Sequence, residues 1–191
     1  FQKDILNLVY IAKSLGLQEV SDYWHQVIKI NDYQKTRFAK QIIKSLFGTV
    51  SGKKITLLGW AFKKNTNDTR ESAAIYVADI LIENGADICV YDPKVNEQQM
   101  LSDLNFLNTR SFEKNKKSLT CFSDPYKACE CSHAVAIITE WDKFKKLDWK
   151  KIYRDLVKPA KIFDGRNILD KYSLENIGFE VYSIGKSVIK G

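Results

Sequence analysis

From Gly52 onward the chain repeats one pattern: a short, nearly unbroken apolar run, a helical stretch, then another run. The runs are ITLLGW (55–60), DICVYD (87–92), SLTCF (118–122), HAVAIIT (133–139), KIFDG (161–165) and FEVYSI (179–184). A strand with one face in water alternates apolar and polar residues. These runs do not, so both faces of the sheet they build must be covered. Between the first two lies SAAIYVADILIENG (72–85), with Ala74, Ile75, Ala78, Leu81 and Ile82 along one helical face and Gly85 as its stop. Strands joined by helices run parallel. The predicted fold class is therefore α/β, a long helix followed by a Rossmann-like, doubly wound parallel sheet domain.

The segment before Gly52 reads differently. Residues 1–16 carry an apolar helical face (Ile5, Leu6, Leu8, Val9, Ala12) and stop at Gly16. A second helix is predicted over Val20–Phe47, with Tyr23, Trp24, Val27, Ile28, Phe38, Ile42, Ile43, Leu46 and Phe47 recurring at three- and four-residue steps. At 1.5 Å per residue such a helix spans roughly 40 Å. Its apolar face is broken at Asn31 and Asp32. It either links two domains, pairs with its copy in another subunit, or serves as a long core helix of one domain. The expected division of the chain is a helical segment over 1–50 and a sheet domain over 51–191, with the boundary near 48–53.

Bulk properties exclude several classes. The longest apolar runs, such as AVAII at 134–138, are too short to span a bilayer, and the start does not resemble a signal peptide. A soluble, cytoplasmic protein without a membrane partner is expected. The chain begins at Phe1 inside a helical pattern, which predicts a piece of something longer. The net charge of +7 admits nucleic acid as a partner, yet the lysines are interspersed with acids, and no nucleic-acid partner is expected. Cys129, Cys131 and His133 lack the paired spacings of a zinc module, so no metal is expected, and of the cysteines at 89, 121, 129 and 131 three lie next to or inside apolar runs, as small buried thiols do. His25 and His133 read as structural.

The loop GWAFKKNTNDTRES (59–72) follows the first strand, at the sheet edge where open α/β folds take their ligands. The glycine fingerprint of a dinucleotide-binding turn is missing: Gly59 is followed by Trp60 and Phe62. Lys63, Lys64 and Arg70 offer side-chain contacts to phosphates or sugar hydroxyls instead, or are solvated loop charges. Asp68 and Glu71 have capping-box spacing, which predicts a helix from about Thr69 whose first amides face the ligand. Arg166, in FDGRN after another predicted strand, either contacts a phosphate or hydroxyl pair or makes a salt bridge to Asp164. Asp92 reads as turn chemistry with Pro93.

FQKD (1–4), NDYQKTRFAKQI (31–42), GWAFKKNTNDTRESAAIYV (59–77), YDPKV (91–95), ITEWDKF (138–144) and IFDGRNILD (162–170) together resemble, in order, the UDP-glucose/GDP-mannose dehydrogenase family. The resemblance runs over essentially the whole chain and is weakest around 103–119. It implies a three-part enzyme: an NAD-binding Rossmann domain, a long central helix that pairs subunits into at least a dimer, and a UDP-binding domain. This chain resembles the last two parts. The implied activity is oxidation of UDP-glucose to UDP-glucuronate in two hydride transfers to NAD. The intermediate rides on a cysteine that in the family precedes FQKD, so this chain alone is expected not to catalyse. The resemblance also implies roles. Asp4 is implied as the catalytic carboxylate that works on a water or alkoxide, and Phe1, Gln2 and Lys3 as the nicotinamide-side segment. Arg70 is implied to reach NAD, and Phe62, Lys63 and Arg166 to contact UDP-glucose. Asn65 and Asn67 stand where relatives often carry Asp and Gly. The alternative reading is a stand-alone nucleotide-sugar-binding or oligomerisation module without catalysis.

Overall fold

The computed structural model describes residues 2–186. The chain forms two compact units that divide between Phe38 and Ala39.

In the first unit, helix α1 (Gln2–Ser14) carries Asp4 in its first turn and Lys13 in its last, signs that complement the helix dipole. It stops because Gly16 adopts φ +74°, which lets Leu17 N donate back to the Ala12 carbonyl at 2.9 Å. Helix α2 (Gln18–Ser45) has no internal glycine or proline, as expected, and its residues from Ala39 onward belong to the second unit. It ends where Phe47 and Gly48 take positive φ and Gly48 N bonds to the Ile43 carbonyl at 3.0 Å. The Lys53 ammonium donates to the Leu46 and Thr49 carbonyls at 2.7 and 2.8 Å, supplying a cation to the helix end.

The second unit is built on a six-stranded, all-parallel sheet of order β3-β2-β1-β4-β5-β6. The strands are β1 (Lys54–Leu58), β2 (Asp87–Tyr91), β3 (Leu119–Cys121), β4 (Ala134–Ile137), β5 (Lys161–Asp164) and β6 (Glu180–Ser183). Five of them fall inside the apolar runs read from the sequence, and β1 begins one residue before its run, at Lys54. The intervening helices are α3 (Ala73–Glu83), α4 (Glu97–Phe106), α5 (Phe112–Ser118), α6 (Pro125–Cys129), α7 (Asp142–Lys145), α8 (Trp149–Asp155) and α9 (Lys171–Ile177). Ile55, Leu57, Leu58, Val135, Ala136, Ile137, Ile162 and Phe163 are wholly inaccessible, as a sheet covered on both faces requires. Helix α3 buries Ala74, Ile75, Val77, Ala78, Leu81 and Ile82, and each large aliphatic among them contributes about 1.5–3 kcal/mol. Truncating the inaccessible Leu81 to alanine would cost about 2–5 kcal/mol.

The register positions the site. Leu58 lies opposite both Tyr91 and Ile137, and Ile137 lies opposite Asp164. Strands β1, β2, β4 and β5 therefore end level, and the loops that start at Gly59, Asp92, Ile138 and Gly165 leave the sheet side by side. The chain order reverses between β1 and β4, which is the switch point where such sheets bind ligands.

Candidate functional site

At the switch point the chain fills its own crevice. Gly59 has φ +100°, and a Cβ there would lie 2.4 Å from Thr139 Cβ, so only glycine fits between the loops that follow β1 and β4. Thr139 Oγ1 then donates to the Ala61 carbonyl at 2.7 Å. Asp92, at the end of β2, is 8% exposed. Its Oδ2 accepts from Trp60 N (2.7 Å), Ala61 N (3.0 Å) and the Trp141 indole (3.1 Å), while its Oδ1 accepts from Lys94 N (2.8 Å) and Val95 N (3.1 Å). The Oδ1 bonds are the turn chemistry expected with Pro93. The Oδ2 bonds, which reach two other loops, are not visible in local sequence.

The rest of loop 59–72 is tied to carboxylates on other elements. The Trp60 ring is wholly buried and its indole donates to Asp103 of α4 at 2.9 Å; Thr69 Oγ1 donates to the same carboxylate at 3.1 Å. Lys64 N donates to Glu140 Oε1 at 3.3 Å, and its ammonium to Asp142 at 2.7 Å. The ammonium groups of Lys64 and Lys145 hold the Asp142 carboxyl down to about 2. Phe62 N closes the loop on itself by donating to the Asp68 carbonyl at 2.8 Å.

The expected start of α3 is corrected. The helix begins at Ala73, four residues beyond Thr69, and Ser72 caps it by accepting from Ala74 N at 3.3 Å. Glu71 stands at φ +59°, a conformation that cannot continue a helix, and its carboxylate accepts from the Tyr76 hydroxyl at 2.7 Å. Asp68 turns to Arg70 instead, accepting from its backbone N–H at 3.0 Å. At the start of α3, Ser72 and Ala74 are inaccessible and Ala73 is half-buried.

The cationic side chains divide by what they touch. Lys63 is exposed and makes no hydrogen bond or ion pair among the described residues. Arg70, its side chain 69% exposed, is oriented by a two-pronged contact with Asp68 at 2.8 and 2.6 Å, which raises its pKa. Arg166 Nε donates to the Ile138 carbonyl at 2.5 Å, and its terminal nitrogen to the Phe62 carbonyl at 3.3 Å. Its acid partner is Glu140, at 3.4 Å, rather than Asp164, which accepts from the backbone N–H groups of Arg166 at 3.0 Å and Leu169 at 2.9 Å. The fold thus brings Phe62, Lys63 and Arg166 to one place. Gln2, Lys3 and Asp4 form the first turn of α1 in the other unit, where Lys3 and Asp4 are exposed and Gln2 is half-buried. Phe1 lies outside the described residues.

Burial pushes the thiols of Cys121 and Cys129 up to about 12 and raises that of Cys89, so none of the three is poised as a nucleophile. His133 Nδ1 accepts from Lys54 N at 3.2 Å, a structural bond.

Residues 56–171 match the model of the UDP-glucose/GDP-mannose dehydrogenase family, UDP binding domain. That span includes the loop from Gly59, Asp92, Glu140 and Arg166. The chain belongs to this family. It is 57% identical over 187 residues to a UDP-glucose 6-dehydrogenase of Drosophila melanogaster, covering 97% of this chain and 39% of that protein. A UDP-glucose 6-dehydrogenase of Pongo abelii is 51% identical over 190 residues, 98% of this chain and 38% of that one. Among solved structures, a UDP-glucose dehydrogenase from the hyperthermophilic archaeon Pyrobaculum islandicum superposes with a TM-score of 0.69 at 28% identity, over 95% of this chain and 35% of its own. The chain therefore spans well under half the length of these relatives. No helix among the described residues is long and apolar enough to cross a membrane.

Proposed function

We propose that this chain supplies the UDP-sugar-binding part of an NAD-dependent UDP-glucose 6-dehydrogenase acting in the cytoplasm. One observation carries the reading. Loop 59–72 is fastened by acids on other elements, and Lys63 is exposed beside a Phe62–Arg166 contact, all within the span that matches a UDP-binding domain. Ties on the loop backbone and on the side chains flanking Lys63 leave less of the loop to be ordered when a diphosphate binds. Lys63 provides a point charge for the diphosphate. Arg166, held by two carbonyls, keeps its remaining N–H groups for a phosphate or hydroxyl pair, and the half-buried Phe62 walls the sugar nucleotide.

NAD, when bound, supplies the hydride acceptor. It does not belong in the crevice of this sheet, where Gly59 meets Thr139 and Asp92 ties the loops. Arg70, exposed and oriented by Asp68, is assigned to the cofactor, and Phe1, Gln2 and Lys3 keep the nicotinamide-side role that the family resemblance implies. Asp4, an exposed carboxylate on α1, serves as base or proton relay. Subunits pair through α2.

Calorimetric titration with UDP-glucose at modest salt tests the substrate half. Saturable heat that is lost in Lys63→Ala supports the reading; no heat from the unaltered chain sinks it. The chain mixed with UDP-glucose and NAD is expected to give no NADH absorbance.

A further inference from the structure

Asp92 occupies the place at the end of β2 where dinucleotide-binding sheets hold an acid for a ribose. Here both of its oxygens are occupied by the chain itself, with N–H donors from three loops. Two of those loops form the proposed substrate site. Trp60 and Ala61 immediately precede Phe62 and Lys63. Trp141 follows Glu140, whose carboxylate receives Lys64 N and lies beside Arg166. We infer that Asp92 is the positioning residue of the UDP-sugar site: its carboxylate fixes the spacing between the loop that carries Lys63 and the loop that orients Arg166. The identity of the ligand rests on the reading above; the clamp itself rests on the geometry alone.

An amide of the same shape cannot substitute. With its NH₂ turned toward Lys94 and Val95 it opposes two donors, and turned the other way it opposes three, so neither flip relieves the conflict. A carboxylate is required because every partner donates. The donors are also loop roots rather than residues of the ladder, so loss of the clamp frees the loops before it touches the strands.

The test uses the 191-residue chain, ¹⁵N-labelled, with and without Asp92→Asn. In the variant, amides of the Trp60–Arg70 segment and the Trp141 indole are expected to exchange with solvent about tenfold faster or more. Amides in β1, β4 and β5 should keep their wild-type rates. UDP-glucose affinity by calorimetry should fall at least about tenfold, which corresponds to a binding-competent arrangement held by only about a tenth of the molecules. Unchanged loop exchange overturns the inference. So does a speed-up spread evenly over the strands, which marks a general loss of stability, or wild-type affinity despite a loosened loop. Should the unaltered chain give no heat with UDP-glucose, the functional reading falls, and the exchange arm still decides the clamp. Should Asp92→Asn fail to fold, Trp141→Phe removes a single donor and leaves the carboxylate in place; faster exchange confined to the two loops then supports the clamp, and unchanged exchange rejects it.

Discussion

Gly59 and the cysteines illustrate how single residues act here. A methyl group at Gly59 would sit 2.4 Å from Thr139 Cβ and 2.7 Å from the Thr139 backbone nitrogen, at φ +100°. Neither neighbour is the loose end of a flexible side chain. Gly59→Ala is therefore expected to destabilise the chain by about 3 kcal/mol, from overpacking and left-handed strain together, read as a shift in the urea midpoint. The thiols make a different prediction. Cys89 and Cys129 are buried and Cys121 is half-buried, whereas Cys131 is exposed. At pH 8 a thiol reagent should modify Cys131 quickly in the folded chain and reach the other three only after denaturation. The pKa values of Cys121 and Cys129 are raised to about 12 from 9.0, so the unfolded chain loses these protons first. Their contribution is intact below pH 9 and is lost as pH rises from 9 toward 12, and the urea midpoint should fall over that window.

At the scale of elements, α3 carries the cap that sequence reading misplaced. Ser72→Ala removes the acceptor for Ala74 N and is expected to cost about 1 kcal/mol, measurable by chemical denaturation. The strands were legible because unbroken apolar runs have one physical reading in a sheet covered on both faces. The start of α3 was not, because Asp68 and Glu71 have the right spacing for a capping box, yet Glu71 is drawn into a left-handed turn and bonds to Tyr76. The same division holds for the site. Lys63 and Arg166 follow strands, and their placement beyond the carboxyl ends of those strands could be read from that position alone. The clamp could not: the bonds from Asp92 to Trp60, Ala61 and Trp141 join residues 32, 31 and 49 positions apart. Local spacing is blind to them. The only sequence trace is that Asp92 ends an apolar run at the position where a Rossmann sheet holds its acid.

At the scale of the whole molecule, the first unit presents an exposed apolar seam. Along α2, Val20, Tyr23, Val27 and Ile30 follow each other at steps of three, four and three residues, the seam of a helix that meets a partner helix. All four are exposed, at 43, 68, 39 and 61%. Tyr10, Leu15 and Tyr33 of the same unit are exposed by 60% or more as well. Monomeric proteins rarely leave contiguous apolar surface of this kind in water, whereas a pairing helix must do so until its partner arrives. Subunit pairing through α2 therefore predicts a dimer at micromolar concentration in sedimentation velocity. Tyr23→Glu combined with Ile30→Glu places a charge on each of two successive turns of the seam. Burying an unpaired carboxylate against a like-charged copy should weaken pairing by at least about 3 kcal/mol, over a hundredfold, and give a monomer. The loop that carries Lys63 lies in the other unit, so the double variant should still bind UDP-glucose with its wild-type heat. A wild-type chain that sediments as a monomer refutes the pairing, and a double variant that loses both pairing and ligand would tie the substrate site to the subunit contact.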